Sequence, residues 1–288
     1  MPWVFQTGAN EEQFDNQLYL GVELEMSIQY DGAVWLESHK PAWLSLTYDS
    51  SISPKYGHTG RELQFHPSTY TWWTEKRSVV LGLLSTLRRR YGATSGNDTH
   101  CGLHIHFSRV MPDAHVLNIM QLIYTHQVYC LKLSRRTRGA MDHYAAMAKT
   151  SDVIIDSNGQ VVQDFPGCTC SLCIAARGYH RVEGKIDSIT REDMWRCSRD
   201  KYSAVYLHYG GRTIEVRLFS GTVTTNELYT GLQFVHAAIA FTNPQRGYNP
   251  ETDCDMTKFH AFVRASGYCT LRRAMGHKAL AVLEAEHA

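Results

Sequence analysis

The sequence predicts an α+β fold in which helices pack on one face of a mainly antiparallel, curved sheet. Two observations support this class. First, the predicted strands come as hairpins with long helices between some of them, and no Gly-rich phosphate loop follows a strand, which excludes a Walker A site and a Rossmann fingerprint. Second, three strands alternate apolar residues with charged or imidazole side chains, as in an antiparallel sheet that leaves one face open to solvent.

The individual elements follow from periodicity and from turn residues. Alternation and β-forming residues predict strands, in chain order, at 19–28, 43–48, 61–66, 102–108, 203–209 and 212–219. Gly210-Gly211 joins the last two as a tight hairpin, and a loop is expected around Asp31-Gly32. Apolar stripes at helical spacing predict helices at 72–91, at 114–136, from 224 to about 242, and two short ones near the end of the chain.

Length and charge limit the function classes. At 288 residues the chain is long enough for one large domain, which we expect to span 1–288 with an insertion at about 150–200 that is polar and Gly-rich. The 29 basic side chains nearly balance the 28 acidic ones, so we expect no nucleic-acid partner. Neither a signal peptide nor a membrane helix is recognisable, which favours a cytoplasmic protein without a membrane partner. The sequence does not determine the oligomeric state.

Three strands each place two chemically active side chains one residue apart. Residues i and i+2 of a strand point to the same face, and in all three strands the intervening residues are apolar. The pairs are Glu23/Glu25, His104/His106 and Glu215/Arg217. Three such pairs predict a sheet whose open face collects carboxylates, imidazoles and a guanidinium, which suits metal-bound phosphate chemistry.

Each pair also has a simpler interpretation. Glu23 and Glu25 can belong to a solvated edge strand, although adjacent carboxylates repel unless a cation lies between them, and their oxygens suit Mg²⁺ or Mn²⁺. His104 and His106 fit either a zinc site or a polar strand face. Glu215 and Arg217 fit a cross-strand ion pair, or a site in which the guanidinium holds a phosphoryl group.

The ordered set of motifs resembles the amidoligase family. The motifs are Gly-x-Glu-x-Glu at 21–25, Asp-x-Ser at 49–51, Arg-Glu-Leu at 61–63, Cys-Gly-Leu-His-x-His-x-Ser at 101–108 and Thr-Ile-Glu-x-Arg-Leu-Phe-x-Gly-Thr at 213–222. This family belongs to the carboxylate–amine ligases with the glutamine synthetase fold, which are related to glutamate–cysteine ligases. The motifs span most of the chain, and their order is more specific than any one of them.

The resemblance implies that ATP phosphorylates a carboxylate and that an amine then attacks the acyl phosphate to form an amide or isopeptide bond. The substrate would be an amino acid, a peptide or a protein side chain. The residues that would hold Mg²⁺ (or Mn²⁺) are Glu23, Glu25, Glu62, His104 and Glu215. His106 and Ser108 would face the nucleotide, and Arg217 would steady the transferring phosphoryl group.

Two further predictions lie outside this core. Asp49 is the candidate for orienting or deprotonating the incoming amine, and its alternative is a turn-capping aspartate. In the insertion, Cys168, Cys170 and Cys173 have the spacing of a structural Zn²⁺ site, with Cys197 or His180 as fourth ligand, and free thiols are the alternative.

Two other functions compete with the ligase. A zinc hydrolase that uses His104 and His106 would turn over without nucleotide. A non-catalytic binding module stapled by zinc would not depend on Glu23, Glu25 or Arg217. The sequence does not identify the carboxylate or the amine that a ligase would join.

Overall fold

A six-stranded antiparallel sheet organises the chain. The computed structural model describes residues 17–96, 100–137, 145, 198–199, 201–207 and 212–276, together with the backbone of three short strands within 153–182. The strands are β1 (Leu20–Gln29), β2 (Leu44–Tyr48), β3 (His58–Ser68), β4 (Gly102–Ser108), β5 (Val153–Ile155), β6 (Val161–Gln163), β7 (Arg181–Val182), β8 (Val205–Leu207) and β9 (Thr213–Ser220). The large sheet has the order β2-β3-β1-β4-β9-β8 and is not closed.

The described helices follow or separate these strands. They are α1 (Tyr30–His39), α2 (Tyr70–Glu75), α3 (Arg77–Arg90), α4 (Asp113–Thr125), α5 (Gln127–Ser134), α6 (Thr225–Phe241), α7 (Pro250–Asp253), α8 (Met256–Ala265) and α9 (Cys269–Ala274). A short 3₁₀ turn, Pro244–Arg246, lies between α6 and α7. None of the helices in the described part of the chain has the length and apolar content that crossing a membrane requires.

The core lies between the apolar face of the sheet and the helices. Leu103 and Ile105 of β4 point to this face, and Gly231 lets the backbone of α6 approach them closely. A Cβ atom at position 231 would lie 2.9 Å from Ile105 Cδ1. Trp73 of α2 is fully buried, and its indole N–H donates to the Leu20 carbonyl of β1 over 3.1 Å. With one face covered by helices, the other face of the sheet carries the polar side chains.

The α+β class and the antiparallel sheet are therefore confirmed, with six strands in the large sheet. All six strands predicted from alternation are present, with ends shifted by up to three residues. The expectation of a single domain over 1–288 and the likeness to glutamine synthetase stay predictions.

The predicted loop around Asp31-Gly32 was wrong, because α1 occupies this segment. Asp-Gly is a common turn signal, but here the Asp31 carboxylate accepts the N–H of Gly32 inside the first helical turn. Ala33 and Leu36 are buried against the core, and a Cβ at Gly32 would lie 2.5 Å from Tyr91 Cβ. Tertiary packing has therefore overridden the local turn preference.

Two predicted long helices are each split in two. The segment expected at 72–91 is interrupted at Lys76, between α2 and α3, where φ is −86° and ψ is 6°. The segment expected at 114–136 breaks at His126, whose backbone lies outside helical geometry, with φ −109° and ψ 47°. Neither break has a proline or glycine to mark it, so the apolar periodicity predicted the helices but not the interruptions.

The insertion contains a small antiparallel sheet with the order β6-β5-β7. The predicted zinc ligands Cys168, Cys170, Cys173 and Cys197, with the alternative His180, lie outside the described residues. The zinc site therefore stays a prediction.

Candidate functional site

The polar face of the large sheet brings the three predicted pairs together. β1 lies between β3 and β4, and the pairing register sets Glu23 opposite both Gln64 and His104. Glu25 pairs with Glu62 of β3, and His106 of β4 pairs with Glu215 of β9. Side chains of directly opposed residues on one face lie close together. Four strands thus contribute carboxylates and imidazoles to one patch.

His104 lies at the centre of this patch. Its Nδ1 is 3.3 Å from a Glu215 oxygen and 3.6 Å from a Glu23 oxygen, and its Nε2 is 3.8 Å from a Glu25 oxygen. The exposed fraction of the side chain is 5% for His104 and 3% for Glu215, against 18% for Glu23. Several carboxylates thus surround one imidazole at low exposure, an arrangement that favours binding of a cation.

Glu23, His106 and Glu215 form a group that can hold a metal ion. Each offers one ligand atom, and these atoms lie within 4.8 Å of one another. His106 Nε2 is 3.3 Å from a Glu23 oxygen. Two carboxylates and one imidazole are donors for Mg²⁺, Mn²⁺ or another divalent cation, with hard oxygen in the majority.

The electrostatics of Glu23 and His106 are coupled. Burial by itself would raise the pKa of the Glu23 carboxyl, but the charge of His106 and hydrogen bonds with His104 and His106 hold this pKa well below its ordinary value. Burial would lower the pKa of the His106 imidazole, but the charges of Glu23 and Glu215 raise it above its usual value. Both directions record the attraction between the Glu23 carboxylate and the charged form of the His106 imidazole.

Glu62 adds a further carboxylate at the edge of the group. Burial, and then the charge of Glu23, raise its pKa to about 7, while a hydrogen bond from Gln64 opposes the rise. The Gln64 amide donates to the Glu62 carboxylate over 2.7 Å. A nearby carboxylate disfavours ionisation of a buried one. The pKa of Glu62 is therefore raised, whereas that of Glu23 is lowered.

Arg217 reaches the site from β9. Its guanidinium donates to the Glu215 carboxylate over 2.5 Å. Alternation from Glu215 places Arg217 on the polar face, and the pairing of β9 with β4 shifts register beside it, between Leu103 and Ile105. The Arg217 side chain is 18% exposed, so it is partly open to solvent.

Gly102 lies where β4 meets the carboxylate of Glu25. Its N–H donates to Glu25 over 2.5 Å. A Cβ at this position would lie 2.5 Å from His104 Nε2 and 2.9 Å from Nη2 of Arg136, so the absence of a side chain leaves room for both. Arg136 is buried and donates to the Arg217 carbonyl over 3.2 Å. It thus fixes the backbone that carries Arg217.

The remaining predicted residues have other surroundings. The Asp49 carboxylate accepts bonds from the N–H and the hydroxyl of Ser51, at 2.8 and 2.7 Å, which is the geometry of a capped turn. Within the described residues it makes no contact with the carboxylate and histidine group. Ser108 is buried and accepts the N–H of Tyr19 while donating to the Gln17 carbonyl. Its hydroxyl thus ties β4 to the chain that leads into β1.

Sequence reasoning missed two members of this neighbourhood. Gln64 follows Glu62 at the i+2 position, so the spacing rule that found the other pairs could also have found it. Arg136 had no such signal, because it follows the left-handed residue Arg135 at the end of α5 and reaches the site only through the tertiary fold.

Comparison with known proteins identifies the family. The model of the family described as "Putative amidoligase enzyme" matches residues 17–239, which include all five motifs of the resemblance. No curated protein matches the chain significantly. The match extends over most of the chain and confirms the resemblance. The chain therefore belongs to the amidoligase family, whose description is that of a ligase-type enzyme.

Proposed function

We propose that this protein is an ATP- and Mg²⁺-dependent carboxylate–amine ligase that acts through an acyl phosphate. The observation that carries the proposal is the convergence of Glu23, His106 and Glu215 within 4.8 Å on the open face of the sheet, with Arg217 bonded to Glu215. The family membership supports the reaction class. The substrate class is an amino acid, a peptide or a protein side chain.

The residues of the site suit a divalent cation. Glu215 and Glu23 supply hard oxygen donors, and the low exposure of Glu215 makes its charge costly unless cations surround it. His106 supplies the third donor, and Glu25 and Glu62 flank the group. Such an ion, when bound, would neutralise charge on the phosphates of ATP. This donor set has fewer imidazoles than a zinc site built on His104 and His106 together, so it favours the ligase over the hydrolase.

Arg217 would hold the phosphoryl group during transfer. In the first step a substrate carboxylate oxygen forms a bond to the γ-phosphorus of ATP, and the bond to the β,γ-bridging oxygen breaks, which releases ADP. In the second step the amine forms a bond to the acyl carbon, phosphate leaves, and the amine loses a proton. Arg217 suits the first step because a guanidinium can donate two hydrogen bonds to phosphate oxygens. Asp49 stays the candidate for accepting the proton.

A coupled assay tests this proposal. The full chain is incubated with ATP, Mg²⁺ and pooled amino acids or peptides, while ADP and phosphate release are followed and new amides are sought by mass spectrometry. We expect amide formation in step with ADP release. In Arg217→Gln the rate should fall by about 100-fold or more, since one charged donor to the reacting group is lost. The matched control Arg264→Gln removes an exposed arginine of α8 and should keep the wild-type rate.

Two outcomes would contradict the ligase. One is the absence of ATP binding in the presence of Mg²⁺. The other is product formation without nucleotide, which would support the zinc hydrolase instead.

A further inference from the structure

A large cavity lies among α3, α5, α6 and α9, and its lining includes no member of the carboxylate and histidine group. It has a volume of about 790 Å³, within the usual range of small-molecule sites. Its floor is formed by Ser95, Gly96, Ser220 and Gly221, where the loop before β4 meets the end of β9. A Cβ at Gly221 would meet Cys101 Cβ at 2.9 Å, so the two loops are in close backbone contact.

Four cationic side chains line this cavity, which we call the basic cavity. Arg88 belongs to α3, Lys132 to α5 and Arg273 to α9, and Arg135 follows α5 directly. Among the described residues of the lining, Glu227 is the one acidic side chain, and it pairs with Arg135 and accepts the Thr222 hydroxyl. The lining thus has three more positive than negative charges, although the whole chain has a formal net charge of +1.

The simplest explanation of these cations is interaction with helix carboxyl ends. Arg88, Lys132 and Arg273 do lie in last helical turns, where positive charge is favourable. Within the described part of the chain, however, their side chains form no ion pair and no hydrogen bond, not even to the terminal carbonyls. These three exposed side chains are therefore not held by capping hydrogen bonds, and their charges are available to a ligand.

A helix amino terminus adds donors to the same cavity. Thr224, Asn226 and Glu227 of the first turn of α6 line it, and Thr224 makes no side-chain capping bond to the helix. The first N–H groups of a helix carry partial positive charge and lack partners within the helix. α6 has 17 residues, so its amino terminus has a developed dipole. The hydroxyls of Ser220 and Thr270 can supply further donors, whereas those of Ser134 and Thr230 already donate to backbone carbonyls.

We propose that the basic cavity binds a small ligand with two or more phosphate groups. Phosphate fits the donors because its oxygens accept from guanidinium, ammonium, hydroxyl and helix N–H groups at once, and because each group carries more charge than a carboxylate. The volume exceeds what one phosphate fills. The inference does not depend on the ligase chemistry, since none of Glu23, His106 and Glu215 lines the cavity.

Matched arginine pairs on two helices provide the test. All four arginines are exposed, but Arg88 and Arg273 line the cavity, whereas their neighbours Arg89 and Arg272 on the same helices do not. Binding of inorganic pyrophosphate is measured by calorimetry on the full chain, with EDTA present so that no divalent metal can recruit the anion. Inorganic phosphate and citrate are titrated in parallel.

We expect pyrophosphate to bind more tightly than phosphate or citrate. In the double variant Arg88→Gln/Arg273→Gln its affinity should fall by about tenfold or more, because two charged donors are lost. Arg89→Gln/Arg272→Gln has the same charge change and should keep wild-type affinity. Glu23→Gln should also keep it, which separates this site from the proposed active site. Equal weakening in both double variants, tighter binding of citrate, or no binding of pyrophosphate to the wild type would each overturn the proposal.

Discussion

Glu215 combines low exposure with two polar contacts at a single oxygen. Its Oε1 lies 3.3 Å from His104 Nδ1 and 2.5 Å from the Arg217 guanidinium, and the side chain is less exposed than those of Glu23 and Glu25. A charge held at this depth is stabilised by its neighbours and in turn orients them. The carboxylate of Glu215 therefore links the imidazoles of β4 to the guanidinium of β9.

Neutralising Glu215 should weaken cation binding. We expect Glu215→Gln to lower Mn²⁺ affinity by about tenfold or more, since one of three charged or imidazole donors is replaced by a weaker one of the same shape. Titration calorimetry with Mn²⁺ measures the change. Glu75→Gln removes an exposed carboxylate of α2 and serves as the control. Unchanged affinity in Glu215→Gln would exclude this carboxylate from the metal site.

The steric role of Gly102, beside the site, can be tested by substitution. Gly102→Ala should destabilise the protein by about 1–3 kcal/mol and weaken Mn²⁺ binding, because the added methyl group overlaps the His104 ring and the Arg136 guanidinium. Gly21→Ala, on the adjacent strand of the same face, is the matched control, since its Cβ would meet only ordinary contacts at 3.6 Å. Denaturant titration of the two variants gives the comparison. If both variants unfold alike, Gly102 has no special steric role.

At the scale of elements, α6 contacts the basic cavity, the large sheet and α9. Its amino terminus enters the basic cavity, its middle packs on β4 and β9, and its buried Gln233 side chain accepts the N–H groups of Thr270 and Leu271 in α9. The close approach of α6 to the sheet depends on Gly231. A glycine within a helix lowers its stability, so this position needs another explanation. Packing against the sheet, rather than helix propensity, therefore explains why position 231 is a glycine.

Two helical glycines should respond to alanine with opposite signs. We expect Gly231→Ala to lower the free energy of unfolding by about 1–3 kcal/mol, because its Cβ would meet Ile105, Phe219 and Leu103 at 2.9 to 3.3 Å. Gly82→Ala in α3 has nothing within 4 Å and should raise it by about 0.5–1 kcal/mol through helix propensity. Urea unfolding of both variants measures the signs. Stabilisation by Gly231→Ala would show that α6 can move away from the sheet at little cost.

At the scale of the whole molecule, the two faces of the sheet separate two kinds of histidine. His104 and His106 lie among carboxylates on the polar face, where the pKa of His106 is raised. His115, His236 and His260 lie in the helical layer, where burial lowers the pKa of each. His236 has the largest change, to about 4, caused by burial and then by the charge of Arg246.

The helical layer should therefore lose stability in acid. The unfolded chain binds a proton at each of these histidines at a higher pH than the folded chain does. Their contribution is thus complete above the ordinary pKa of 6.5 and is lost as the pH falls toward about 4 for His236. His236→Phe keeps a ring stacked on Tyr70, where the centroids are 4.1 Å apart, but removes the titration.

We expect this variant to lose about 1–2 kcal/mol less stability than the wild type over that pH range. Denaturant unfolding at a series of pH values gives both slopes. Parallel slopes would mean that His236 already titrates normally in the folded protein.

The sequence by itself predicted the strands, their two faces and the three pairs that meet on the polar face. The i, i+2 spacing of Glu23/Glu25, His104/His106 and Glu215/Arg217 is a local property that alternation converts directly into a shared face. The same rule extends to Glu62 and Gln64, and the ordered motifs led to the family that the family model confirms.

Only the tertiary structure decided which side chains meet. Sheet order and register bring Glu23 beside both Gln64 and His104, and place His106 rather than His104 in the metal-capable group. Three further features depend on long-range packing. They are the position of Arg136 beside the site, the helix α1 in place of the Asp31-Gly32 turn, and the basic cavity between the ends of four helices. Local periodicity cannot specify these features, because the residues that meet are far apart in the chain and their contacts exist only once the sheet and its helices have assembled.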